Sequence, residues 1–206
     1  MSHPSLVLRI EPSGESFLKL HLLRPQDGLL ICLKRISKKN RSNQPVPDLF
    51  DTAEVTLENS KQGTMRFVRE YHLLERRTAI GRDYRRLQRA SEFCQLLVLN
   101  AHYMPDLPAL YELVARSLDG FNQRSTPDVV FLKSIFLLLR DEGYPVHQSW
   151  WARLPPTLRA SAKPLIEQPS PDALEPEAHR ACLSAIQHLL NWLRGETELT
   201  LPDSLR

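Results

Sequence analysis

The chain has 206 residues, of which 25% are charged and 42% hydrophobic, with a formal net charge of +3, and no segment approaches the roughly 18 apolar residues that would span a membrane. That length buries a core without staples, and Cys32, Cys94 and Cys182, odd in number and far apart, exclude a disulfide framework and read as small buried thiols of a reducing compartment. Met1-Ser2-His3-Pro4 lacks the charged-then-apolar layout of a secretion signal, so a soluble, cytoplasmic protein is expected.

Up to about residue 80 the pattern is that of strands: Leu6 to Ile10, Phe17 to Leu23, Leu29 to Lys34, Leu49 to Leu57 and Met65 to Leu74. Pro25-Gln26-Asp27-Gly28 predicts a hairpin turn, because Pro presets φ and Gly accepts φ > 0, and Asn59 to Gly63 predicts a second. Five antiparallel strands must hide their edges, and closure into an OB-type barrel is the expected solution.

After Gly81 the period changes to 3.6. Tyr84, Leu87, Ser91, Cys94, Val98 and Ala101 share one arc of a helix, and Arg82, Arg85, Arg86 and Arg89 occupy the opposite, solvent-facing arc of its first two turns. Phe93, Leu96 and Leu99 interrupt that wet face further on, so the later turns are expected among other helices. A second helix follows Asp106, with Leu110, Leu113, Val114, Leu118 and Phe121 at helical spacing. A third takes Thr126 as N-cap and Pro127 at its first position, is apolar nearly all round, and stops at Gly143, which makes it the expected central helix. Pro155 to Pro176 holds six prolines and predicts an irregular connection with a short helix near Thr157 to Ala162. A last helix, about Glu177 to Arg194, turns Ala178, Cys182, Ala185, Ile186, Leu189 and Leu193 inward and ends at Gly195. The predicted architecture is thus α+β: an N-terminal five-stranded OB-type barrel over 1–80 and a C-terminal all-helical domain over 81–206.

Catalytic motifs do not appear. The seven glycines are scattered singly, which excludes a Walker loop; His179 and His188 stand nine apart on one helix, off a shared face, so no metal site is expected; no Gly-x-Ser-x-Gly elbow occurs. Asp48, Asp51 and Glu54 are the nearest approach to an acidic constellation, and they read as an exposed turn and strand. A non-enzymatic protein without cofactor is expected.

The informative feature is charge. Residues 1–92 hold 17 Lys and Arg against 11 Asp and Glu, leaving 10 against 13 in the remainder. Within that basic front, Lys34, Arg35, Lys38, Lys39 and Arg41 put five cations between two strands with no acid among them. In an OB-type barrel such loops flank the groove where single-stranded nucleic acid lies, and the strand aromatics Phe17, Phe67 and Tyr71 either stack there or fill the barrel core. Together with Arg82, Arg85, Arg86 and Arg89, for which the alternative is a surface salt-bridged with Asp83 and Glu92, these five are the candidate DNA contacts. In the helical half, Trp150 and Trp151 suggest a peptide groove.

In order and residues the chain resembles the RecO family of bacterial recombination mediators. The resemblance runs from Asp83-Tyr84-Arg85-Arg86-Leu87 with Ala90-Ser91, through Leu107-Pro108-Ala109-Leu110-Tyr111-Glu112-Leu113, to Phe131-Leu132-Lys133 and Leu137-Leu138-Leu139-Arg140-Asp141-Glu142-Gly143-Tyr144-Pro145. Gly14-Glu15-Ser16, the Asp27-Gly28 turn and the basic loop match more loosely. What the resemblance implies is a protein of the bacterial cytoplasm, associated with the nucleoid, that takes part in DNA repair and recombination. It would bind single- and double-stranded DNA, anneal complementary strands, and work with RecR to load recombinase onto DNA covered by single-strand-binding protein. The acidic, apolar tail of that protein is then expected at Trp150, Trp151, Arg140 and Arg153. Many family members carry a four-cysteine zinc module after the Gly-Tyr turn; here its first positions fall near Trp150 and Trp151 without cysteine, and Ile36-Ser37 replaces a glycine-containing basic motif. A second reading, of another class, is a protein-interaction adaptor that keeps the RecO-like fold and acts through its helical groove.

Overall fold

The computed structural model describes residues 3–36, 45–60, 63 and 65–205. The described residues fall into two compact units, one comprising those up to Arg77 with Ala101–Glu112, the other Thr78–Asn100 with Leu113 onward.

The first unit is a closed barrel of five strands, β1 (His3–Ser13), β2 (Phe17–Arg24), β3 (Gly28–Arg35), β4 (Thr52–Asn59) and β5 (Arg66–Glu75), in the OB-type order β1-β2-β3-β5-β4 with β4 returning to β1. All pairings are antiparallel except a short parallel one, in which Cys32 and Leu33 face Arg66 and Phe67. Alternation fills the interior: Val7, Leu20, Leu22, Cys32, Ala53, Val55, Val68 and Tyr71 form one buried cluster, and Ile10, Leu18, Leu57 and Leu73 pack against it. Gly28 ends the β2–β3 turn at φ +70°, as the Asp-Gly pair predicts, and its bare Cα faces Leu107 at close range. The buried Arg24 ties three strands together, donating to the Ser5 hydroxyl at 3.0 Å and the Val55 carbonyl at 2.5 Å.

Strand β4 starts at Thr52 rather than Leu49, because Phe50 takes φ +67° and sends its N–H to the Val7 carbonyl. Asp51 also departs from its expected exposure. It is fully buried, accepting from the Tyr71 hydroxyl at 2.7 Å and from both Arg76 donors at 2.9 and 2.8 Å, so its charge is neutralised inside. Tyr71 is therefore a core residue, and its phenol is pushed up by burial and by the Asp51 carboxylate.

The second unit is helical: α1 (Thr78–Gly81), α2 (Tyr84–Asn100), the remainder of α3 (Leu107–Gln123), α4 (Pro127–Asp141), α5 (Pro156–Glu167) and α6 (Pro176–Glu196), with a π-helical turn at His147–Trp151. As its all-round apolar surface predicts, α4 is central, burying Val129, Phe131, Leu132, Ile135, Phe136, Leu138 and Leu139 among α2, α5 and α6. Gly143 follows it at φ +79°. Thr126 holds the cap position but its hydroxyl donates to the Pro171 carbonyl at 2.7 Å instead of capping. α5 is twice the length expected, running through Pro164, and α6 passes through Gly195 to Glu196. Cys32, Cys94 and Cys182 are buried and none forms a disulfide, and burial pushes the Cys32 and Cys182 thiols up to about 12. No helix among the described residues is long and apolar enough to cross a membrane.

Candidate nucleic-acid interface

Because inward residues alternate with outward ones, the register of β1, β2 and β3 lays out a grid on the outer face of the barrel. Ser13, Phe17 and Arg35 form one row; Glu11, Lys19 and Leu33 the next; Arg9, His21 and Ile31 a third. β5 adds Phe67 beside Leu33, and its ring lies 6.0 Å from that of Phe17, tilted by 60°. Both rings are half-buried and lie outside the core cluster, so each retains an open edge or face. Ile31 is exposed. The result is a pair of aromatics flanked by cations and aliphatic side chains on a rigid sheet.

The cations of this face are organised by one carboxylate. Glu11 accepts from Arg9 at 2.6 Å on Oε1, and from Lys19 and, at 3.2 Å, His21 Nε2 on Oε2. Hydrogen bonds from Lys19 and His21, then the Arg9 charge, hold its carboxyl down at about 2. His21 is buried, and burial lowers its pKa against the pull of Glu11. The proton therefore sits on Nε2 facing Glu11, and Nδ1 is left buried without a partner among the described residues. Arg9, Lys19 and Glu11 were not singled out from sequence; strand alternation plus hairpin register was the signal that could have found them.

Of the five loop cations, Lys38, Lys39 and Arg41 lie outside the described residues. Lys34 and Arg35 end β3 on opposite sides of the sheet. Arg35 is exposed beside Phe17, whereas Lys34 has the inward parity of Cys32, opposite Leu18, and burial lowers its pKa.

The arginines of the second unit are not a free wet arc. Arg89 is buried: it donates to Asp128 at 2.7 Å and Glu92 at 2.7 Å and stands 4.8 Å over the Phe131 ring. Arg85 pairs with Asp128 at 3.0 Å, and Arg86 donates to the Asn122 carbonyl at 3.1 Å. Arg82 is exposed in the turn between α1 and α2. Tyr84, assigned to the packed arc, is exposed too. The reason is Asp128, in the first turn of α4, which no spacing rule links to α2; it collects Arg89, Arg85 and, at 3.1 Å, His179. Burial alone would raise the Asp128 carboxyl, but these partners hold it below the ordinary carboxylate value.

A second candidate surface lies wholly within the helical unit. A pocket of about 740 Å³ is walled by Phe136, Leu137, Trp151 and Ile166 and bordered by Lys133, Arg140, Arg159 and Lys163, with Glu167 the one acid on its lining. Trp151 reaches it, while Trp150 is buried beneath, its ring 6.0 Å from Phe136. Arg140 lines it half-exposed. Arg153 does not line it; it pairs with Glu196 at 2.7 Å. Sequence placed only the first half of α5 as a short helix near Thr157 to Ala162, and missed that it runs on through Pro164 to bring Lys163, Ile166 and Glu167 to the pocket.

No protein-family model matches the chain, and no curated protein matches it.

Proposed function

We propose that the chain is a non-enzymatic, DNA-binding recombination mediator of the RecO type. The observation that carries this is the outer barrel face, where Phe17 and Phe67 present stacking surfaces next to Arg35, Lys19 and Arg9 on the strands that OB-type domains use for single strands. Bases stack on the two rings while the phosphate backbone follows the cations, which gives sequence-tolerant, salt-sensitive binding. The order of the motifs from Asp83 to Pro145 supports the same assignment.

Its partner side is the pocket beside Trp151. An apolar floor with four cations and one acid on its lining suits a short acidic peptide with a bulky apolar residue, as in the tail of single-strand-binding protein. RecR and recombinase loading belong to the same reading. Fluorescence anisotropy of a labelled single-stranded oligonucleotide tests the DNA half: replacing Phe17 and Phe67 by alanine lowers affinity by about 1–3 kcal/mol per stacked base. Unchanged affinity in that variant contradicts it. The adaptor reading is favoured if wild type binds the peptide but no DNA at low salt.

A further inference from the structure

Glu11 is placed unusually for an acid on a surface expected to meet phosphates. It stands in the middle row of the grid, next to the Phe17 row, and both of its oxygens are taken by cations, Lys19 of its own row and Arg9 of the row beyond, with His21. Arg9 and Lys19 are each only partly exposed and are held to one carboxylate across the β1–β2 pair, with the buried His21 fixing that carboxylate from below. A phosphodiester offers the same anionic oxygens to the same donors.

We propose that Arg9 and Lys19 form a phosphate-binding pair that Glu11 occupies as an internal substitute, and that a nucleic-acid phosphate binds by displacing the Glu11 carboxylate. This rests on the reading of the barrel face as a DNA contact and adds to it a specific phosphate subsite with a built-in competitor. The competitor pre-positions the two cations and weakens attachment, so that bound strand can be released or handed on. Because Glu11 lies in partly exposed ion pairs, which are individually weak, removing its charge strengthens binding by about 3- to 10-fold.

The test titrates a labelled single-stranded oligonucleotide into wild type, Glu11→Gln, Glu15→Gln and the triple variant Glu11→Gln with Arg9→Gln and Lys19→Gln, at several salt concentrations. Glu15 lies exposed in the neighbouring turn and reports the generic effect of removing one negative charge. The proposal predicts that Glu11→Gln binds about 3- to 10-fold tighter than Glu15→Gln, with a steeper dependence of log affinity on log salt, and that the triple variant loses this gain. Equal affinity for Glu11→Gln and Glu15→Gln, with melting transitions intact, overturns it, as does a gain that persists in the triple variant. Should Glu11→Gln fail to fold, Arg9→Gln with Lys19→Gln in the otherwise native chain reads the pair directly: lower affinity and a slope reduced by about 0.7 support it, since the one phosphate held by the pair contributes about 0.7 on a single strand, and unchanged values sink it. If wild type binds DNA and the phenylalanine variant weakens it while Glu11→Gln matches Glu15→Gln, the Glu11 competitor alone is wrong. If none of the proteins binds DNA at low salt, both readings fall.

Discussion

Asp128 and Asp51 show how this chain keeps charge inside. Each is buried, and each is matched by guanidinium donors: Arg89 and Arg85 for Asp128, Arg76 for Asp51. Deleting one member of such a pair takes a charged partner from the other, so Asp128→Ala, which leaves the buried Arg89 with Glu92 as its remaining acid, is expected to cost about 1.5–3 kcal/mol in urea unfolding; a loss below about 1 kcal/mol would show that Glu92 alone satisfies Arg89. The titrating residues also set a pH profile. Glu11 is held at about 2 against an ordinary 4.5, and Asp128 is likewise depressed, so their contributions are present above the unfolded values and lost as pH falls through the folded ones. His21 is depressed by burial, so the unfolded chain takes up its proton first and stability is again lost as pH falls below about 6.5. The melting temperature therefore declines on the acid side, and Glu11→Gln flattens the limb between pH 4.5 and about 2. A wild-type limb that is flat there contradicts the Glu11 assignment.

At the scale of elements, Pro164 illustrates what sequence rules miss. It stands exposed near the end of α5, where its ring displaces the hydrogen bond its N–H would send to the Ala160 carbonyl, yet the helix continues because Ala162 and Leu165 are buried. Pro164→Ala is expected to stabilise the protein by about 1–3 kcal/mol, read from the denaturant midpoint. A destabilised variant would mean that the ring packs. The strands were legible because alternation and turn residues are local signals: the Asp27-Gly28 hairpin and the core alternation of Leu18, Leu20 and Leu22 follow from them directly. The arginine face of α2 was not, since periodicity places Arg89 on an arc but cannot reveal that Asp128, 39 residues later, draws that arc inward. The outer-face grid of the barrel was half legible: Phe17, Phe67 and Arg35 stand out in sequence, while Arg9, Lys19 and Glu11 become a cluster only once β1 and β2 are in register.

For the whole molecule, the two candidate surfaces belong to different units and differ in chemistry, a face of paired aromatics and cations on the barrel and an apolar pocket with a basic border among the helices. They are expected to fail separately. Trp151→Ala with Arg140→Ala removes a wall and a cation of the pocket, and it should weaken an acidic, apolar-tipped peptide by about tenfold or more in calorimetric titration while leaving DNA affinity within twofold. Parallel loss of both activities would contradict the separation. The central claim, that this barrel is a single-strand-binding domain, is tested most directly by titrating a labelled single-stranded oligonucleotide at low and moderate salt into wild type and into Phe17→Ala, Phe67→Ala protein. Wild-type binding is expected to weaken steeply with salt, and the double variant to bind more weakly while keeping nearly the same salt slope, because stacking is lost and phosphate contacts remain. Wild-type protein that does not bind at low salt, or a double variant that binds as well as wild type, would contradict it.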